Sequence, residues 1–232
     1  MFSITTFNTQ RDFQKDQVNK DVLSLIKNFK ERTILCLQEM TNDLGNLIIA
    51  HQKNQGIWPR LVHCWENAIY LSPDIRVWNI KEVHIWCERS FIGVDFEINE
   101  KKASVYSWKL APWLSDYKRK KWFESLLSQI EEEQVVIWMD SNMWYPQEKK
   151  HVLIPLKEKY WLDYHFWRNT YHLERCEHRS KFPMKIFSDN FLKRHSIWID
   201  WILWRGFRQI WEGIVHSDIT SSDHSPVSIH LK

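Results

Sequence analysis

Glycine is scarce in this chain, five residues in 232, so its tight turns fall to Asn, Asp and Ser, whose short polar side chains bond their own backbone. Cysteine is nearly as rare: Cys36, Cys64, Cys87 and Cys176 show no paired spacing. That excludes a disulfide scaffold and suits reduced, buried thiols in a cytosolic protein. Charge imbalance is missing too, since a net charge of +3 tolerates a polyanionic partner without distinguishing a nuclease from a metabolic enzyme. No apolar run is long enough to span a membrane, and the chain opens directly on a strand-like Phe2-Ser3-Ile4-Thr5-Thr6-Phe7 rather than on a signal peptide. The expectation is a cytoplasmic protein with no membrane partner. No Pro/Gly/Ser-rich linker and no internal repeat divides the sequence, so residues 1–232 are expected to form one domain.

What the chain has in excess is tryptophan, fifteen residues against those five glycines. Large aromatics dominate core energetics, so most of these rings are expected to pack in the interior or at its rim. A few exposed rings could instead stack on nucleobases. Apolar residues make up 44% and charged residues 26%, the balance of a folded globular chain.

Alternation of apolar and polar residues predicts a half-buried strand at 2–7, and the wholly apolar run at 33–37 predicts a strand covered on both faces. Between them Val18, Val22, Leu25, Ile26 and Phe29 share one helical face across residues 12–30. A shorter helix is expected at 43–51, followed by strands near 61–64, 68–71, 75–84, 90–96 and 103–108. A basic helix follows at 116–132, a strand at 134–139 and a lysine-rich helix around 147–159. Residues 162–196 read as polar and irregular, and 198–204 as a strong apolar element. Many short strands with interspersed helices argue for packed sheets flanked by helices.

Polar residues terminate five of these apolar runs: Asn8, Glu39, Lys109, Asp140 with Asn142, and Asp223 with His224. Asp200 interrupts a sixth and needs a partner, because an unpaired buried carboxylate costs several kcal/mol. Singly, each could be a turn former or a cap. Together they supply oxygen ligands, a proton-transfer pair and cationic or amide donors, the groups that offset charge growing on a phosphoryl group during ester hydrolysis.

The stretches that carry these residues are Phe7-Asn8-Thr9, Leu37-Gln38-Glu39, Met139-Asp140-Ser141-Asn142, Ile199-Asp200-Trp201-Ile202-Leu203 and Ser222-Asp223-His224-Ser225-Pro226-Val227. In content and order the chain resembles the endonuclease/exonuclease/phosphatase superfamily, which includes deoxyribonuclease I and exonuclease III. The resemblance implies a four-layer α/β sandwich, two packed mixed sheets flanked by helices, with a divalent metal at one rim. It implies Glu39 as the principal ligand of magnesium, or of manganese in its place, with Asn8 supporting the metal shell and Asp223 nearby. Hard oxygens and retained waters suit magnesium. It further implies that Asp140 orients or deprotonates the attacking water and that Asn142 bonds a phosphate oxygen. His224, paired with Asp200, would contact the phosphate or transfer a proton. Arg89 resembles in position a phosphate-contacting arginine, though an arginine at a strand edge is also an ordinary surface residue.

Two residues depart from the family pattern. Lys109 stands where deoxyribonuclease-like members usually have His; it can neutralise phosphate charge, but an unshifted lysine is a poor general acid near neutrality. Met139 replaces the usual Gly and is expected to crowd the approach to Asp140. The run Tyr117-Lys118-Arg119-Lys120-Lys121-Trp122 reads either as a solvated helical face or as a nucleic-acid contact. His172, Cys176 and His178 have only three evident zinc donors and read as a polar loop. The function expected is a magnesium-dependent phosphodiesterase, foremost a nuclease, with DNA and RNA both open as substrate. A phosphomonoesterase or phospholipid-type phosphodiesterase, and an inactive nucleic-acid- or protein-binding module on the same fold, stand as alternatives.

Overall fold

A computed structural model describes residues 1–10, 14–29, 32–56, 60–64, 66–85, 89–98, 100–109, 115–140, 146–166, 200–216 and 218–232. The first strand, β1 (Phe2–Asn8), leads through helix α1 (Lys15–Asn28) to β2 (Thr33–Gln38). β1 and β2 pair in parallel, with Asn8 beside Gln38, so the crossover helix leaves both carboxyl ends at the same edge. Helix α2 (Asn42–Asn54) starts at Thr41, whose side chain accepts from the Leu44 amide, satisfying one of the orphan donors of the first turn. Next come β3 (Leu61–Cys64) and β4 (Asn67–Leu71), then β5 (Arg76–Ile85), β6 (Arg89–Ile98) and β7 (Lys101–Lys109). Helix α3 (Asp116–Leu127) carries the chain to β8 (Val135–Asp140), again parallel to its predecessor, with Lys109 beside Asp140. Helix α4 (Pro146–Tyr160), β9 (Asp163–Phe166), β10 (Asp200–Arg205), β11 (Gln209–Val215) and β12 (Val227–Leu231) follow.

The strands form two mixed six-stranded sheets, ordered β11-β12-β1-β2-β4-β3 and β5-β6-β7-β8-β10-β9. Strand alternation decides what lies between and outside them. Ile4, Ile34, Cys36, Ile69 and Ile229 of the first sheet meet Val94, Val105, Val136, Trp138 and Ile202 of the second in the central core. Phe7, Leu35 and Leu37 point the other way, under Val18, Val22, Leu44 and Ile48 of α1 and α2. Tyr106, Trp108, Ile137 and Met139 likewise lie under Phe123, Leu127, Val152 and Leu156 of α3 and α4. The layers are therefore helices, sheet, sheet, helices: the expected α/β sandwich.

Three boundaries differ from the sequence expectation. α3 ends at Leu127 rather than near 132, with Ser128 as its cap, although Ile130 still packs into the core beneath it. β9 lies inside the stretch read as irregular, and β11 was not anticipated. Among the described tryptophans, Trp108, Trp138, Trp201 and Trp204 are buried, whereas Trp78, Trp161 and Trp211 are exposed. Cys36 and Cys64 are buried. The His172, Cys176 and His178 group lies outside the described residues. No described helix is long and apolar enough to cross a membrane.

Candidate active site

The topology gathers the strand-ending residues. β1 and β2 end at Asn8 and Gln38, β7 and β8 at Lys109 and Asp140, and each of these carboxyl ends faces the same rim. β12 runs antiparallel to β1, with Val227 beside Thr6, so the preceding turn, Ser222 to Pro226, falls there too. β10 opens with Asp200 beside Asp140.

Asn8 is the hub. Its Oδ1 accepts from the Gln10 amide at 3.0 Å, a local turn that fixes the amide orientation and aims Nδ2 into the rim. Nδ2 lies 3.0 Å from Glu39 Oε1, 3.0 Å from Asp140 Oδ2 and 3.4 Å from His224 Nε2. One buried nitrogen is thus within hydrogen-bonding distance of groups from three separate segments, one of them on the opposite sheet. If Nε2 accepts from Asn8, the imidazole carries its proton on Nδ1.

Glu39 occupies the left-handed region, φ 54°, an uncommon place for a residue with a side chain. Its neighbours over-determine that conformation. The Thr9 hydroxyl reaches the carbonyls of Gln38 and Glu39, the Thr9 amide donates to Gln38 O, and the Met40 amide donates to Glu66 O. The Lys109 ammonium bonds Glu39 Oε1 directly. Burial pushes the Glu39 carboxyl up, yet the Lys109 charge, hydrogen bonds from Lys109 and Asn8, and the nearby His224 together hold it below the ordinary carboxylate value.

The turn carrying His224 is fastened by side chains to which the sequence reading assigned no role. Ser222 Oγ donates to Asn8 O at 2.8 Å and accepts from the His224 amide at 3.1 Å. Gln10 Oε1 accepts from the Asp223 amide at 3.1 Å. Asp223 Oδ1 is 3.8 Å from His224 Nε2. Ser222 could have been suspected from its Ser-rich turn; Gln10 carries no sequence signal, because its role depends on a segment more than two hundred residues away.

Asn8, Asp140, Asp223 and His224 are all nearly inaccessible to solvent, and Lys109 is 9% exposed. The donor chemistry fits a hard divalent cation: among the described side chains the rim holds three carboxylates, Glu39, Asp140 and Asp223, against one ammonium. Among the described residues no group of three or more His, Cys, Asp or Glu side chains is placed so that it could hold a metal ion by itself. Magnesium needs no such cage, since it binds through one or two carboxylates and keeps several waters. Asn8 presents its nitrogen, not its oxygen, to this cluster.

Asn142 lies outside the described residues, as do the side chains of Asp200 and Arg89, so an Asp200–His224 contact is not among the described ones; the Arg89 backbone opens β6. The expectation for Met139 is overturned. Its side chain is fully buried beneath α3 and α4, on the face opposite Asp140, which turns toward Asn8; alternation along β8 keeps it out of the approach. The basic run also divides by face. Tyr117, Lys118 and Lys121 are exposed, with the Lys121 ammonium 4.8 Å from the Tyr117 ring centre. Arg119 is buried and Trp122 packs against the core.

Two sheets sandwiched by helices, with polar strand ends gathered at one rim, define the deoxyribonuclease I-like fold, and comparison with solved structures agrees. Danio rerio TDP2 complexed with a single-strand DNA product superposes with a TM-score of 0.70 at 12% identity, covering 100% of this chain and 98% of that one. An endonuclease/exonuclease/phosphatase family protein from Leptotrichia buccalis gives 0.67 at 12% identity with full coverage of both chains. The catalytic domain of human Nocturnin with bound sulfate gives 0.63 at 12% identity, covering 100% and 93%. No protein-family model and no curated protein matches the sequence. The chain thus shares the fold of endonuclease/exonuclease/phosphatase proteins at low sequence identity.

Proposed function

We propose that the chain is a metal-assisted phosphodiesterase acting on nucleic acid, DNA or RNA. The observation that carries this reading is the convergence of Glu39, Asp140 and His224 on the Asn8 amide nitrogen. The Danio rerio structure with its single-strand DNA product supports nucleic acid as the substrate class. Glu39 would hold magnesium, or manganese in its place, with Asn8 orienting the carboxylate and Asp223 close by. When bound, the cation supplies positive charge to the phosphoryl and leaving oxygens.

Asp140 accepts a proton from the attacking water as the new P–O bond forms. His224, when protonated, donates a proton to the departing oxygen as the old P–O bond breaks. Lys109 neutralises charge on the phosphate, and Asn142, Asp200 and Arg89 keep the roles that the resemblance implies. The test is cleavage of end-labelled single- and double-stranded DNA and RNA in magnesium, with EDTA as control. Glu39→Ala, Asp140→Asn and His224→Ala should each lower cleavage by about 100-fold or more while circular dichroism shows a folded protein. Undiminished turnover in any of the three rejects the assignment.

A second reading is favoured by one observation, the Lys109 ammonium seated on the carboxylate that would take the metal. It is a nucleic-acid-binding module with a silenced site. It expects salt-sensitive binding, no product at any metal concentration, and binding unchanged by Glu39→Ala.

A further inference from the structure

We propose that Lys109 is a tethered counter-ion of the Glu39 site, which a divalent cation must displace before it can bind. The inference rests on the reading of Glu39 as the cation site, and it concerns a different property from cleavage. Lys109 ends β7 in the second sheet, and Glu39 follows β2 in the first, so their ion pair closes the seam between the sheets. Neither side chain is free to solvate instead: Lys109 keeps 11% of its side chain exposed and Glu39 19%. The Glu39 oxygen that faces Lys109 is the same one that accepts from Asn8. A metal ion sharing that oxygen would sit in contact with a like charge, and at short range in a poorly screened pocket that repulsion exceeds thermal energy several-fold.

Metal entry therefore requires the ammonium to leave, and its three N–H donors need another anion at the rim. A substrate phosphate offers one. Metal and phosphate are then expected to enter together, each favouring the other's binding, while the substrate-free protein holds its own cation. This converts the departure at position 109 from a missing acid into a competitor for the metal.

Manganese titration followed by electron paramagnetic resonance, and calorimetric titration with magnesium, read the competition without any turnover. Wild type should bind either ion weakly. Lys109→Gln, which keeps a hydrogen-bond donor and removes the charge, and Lys109→Met should each bind one equivalent about tenfold tighter or more. The gain should vanish when Glu39→Gln is added. Lys109→Arg, retaining the charge, should stay as weak as wild type. If Lys109→Met does not fold in EDTA, recovery of its fold on adding magnesium supports the proposal. Equal affinity of wild type and Lys109→Gln, or tight binding that survives Glu39→Gln, overturns it. If Lys109→Gln binds metal tightly yet neither protein cleaves any substrate, the hydrolase reading fails and the counter-ion assignment stands.

Discussion

At the scale of single residues, Asn8 is distinguished by the direction of its hydrogen bonds. Its Nδ2 donates to two carboxylates, with a ring nitrogen close by, so an isosteric Asn8→Asp substitution replaces that donor by a third negative charge beside the two carboxylates. Urea unfolding should show a loss of about 2 to 3 kcal/mol, with cleavage falling alongside it; Asn8→Asp as stable as wild type would contradict the donor assignment. His216 offers a residue-scale prediction away from the rim. Burial lowers its pKa from 6.5, opposed by the Asp218 charge, and its Nε2 lies 2.8 Å from Ser228 Oγ. Because the folded value is depressed, the unfolded chain takes up the proton first on acidification. The stability conferred by the neutral ring is complete above the unfolded value of 6.5 and is lost as pH falls through it toward the folded value. His216→Asn should flatten the stability-versus-pH curve over that window, as read by urea midpoints; an unchanged slope would refute it. Residues such as Asn8 and Glu39 were legible in the sequence because a polar group ending an apolar run is costly unless it has a task. Gln10 was not, since an exposed-looking glutamine acquires meaning only through the Asp223 amide it meets.

At the scale of elements, burial decided what could be read. β2 and β8 are buried at every position, and continuous apolar runs announce such strands. β9 and β11 are edge strands, each paired on one side only. β11 carries two register irregularities and leaves Trp211 and Ile214 exposed, so no alternation survives to mark it. Edge strands are defined by backbone pairing, which leaves a weak signature in side-chain pattern. β6 shows the opposite case. Gly93 faces Tyr106 across the β6–β7 ladder, and a Cβ at Gly93 would come within 2.4 Å of the Tyr106 ring. The ring occupies the space that a side chain would need. Gly93→Ala should therefore cost about 1 to 3 kcal/mol of overpacking, measured by thermal or urea unfolding, and Tyr106→Leu should relieve most of it. Additive losses in the double variant would show that the two positions do not compete for space.

At the scale of the whole molecule, the site is a property of the seam rather than of either sheet. Both halves use the same device, a parallel pair with a crossover helix, β1-α1-β2 and β7-α3-β8. Packing the two sheets face to face brings four carboxyl ends to one rim, although no sequence repeat relates the halves. Just below the rim a buried polar bridge ties the sheets: Gln38 Nε2 donates to Ser107 Oγ at 3.1 Å, and Thr6 Oγ1 donates to Gln38 Oε1 at 2.9 Å. Gln38 is fully buried and immediately precedes Glu39, so the bridge sets the spacing of Glu39 from the strands that carry Lys109 and Asp140. Gln38→Ala and Ser107→Ala should each destabilise by about 1 to 3 kcal/mol, the cost of a buried polar partner left unmatched. If the bridge acts as a unit, the double variant should fall short of additivity by roughly 0.5 to 1.5 kcal/mol. Cleavage should drop in all three variants by more than the fraction unfolded accounts for, because a seam that shifts moves Glu39 relative to Asp140 even in molecules that remain folded. Activity that tracks the folded fraction alone would mean that the two sheets keep their spacing without this bridge.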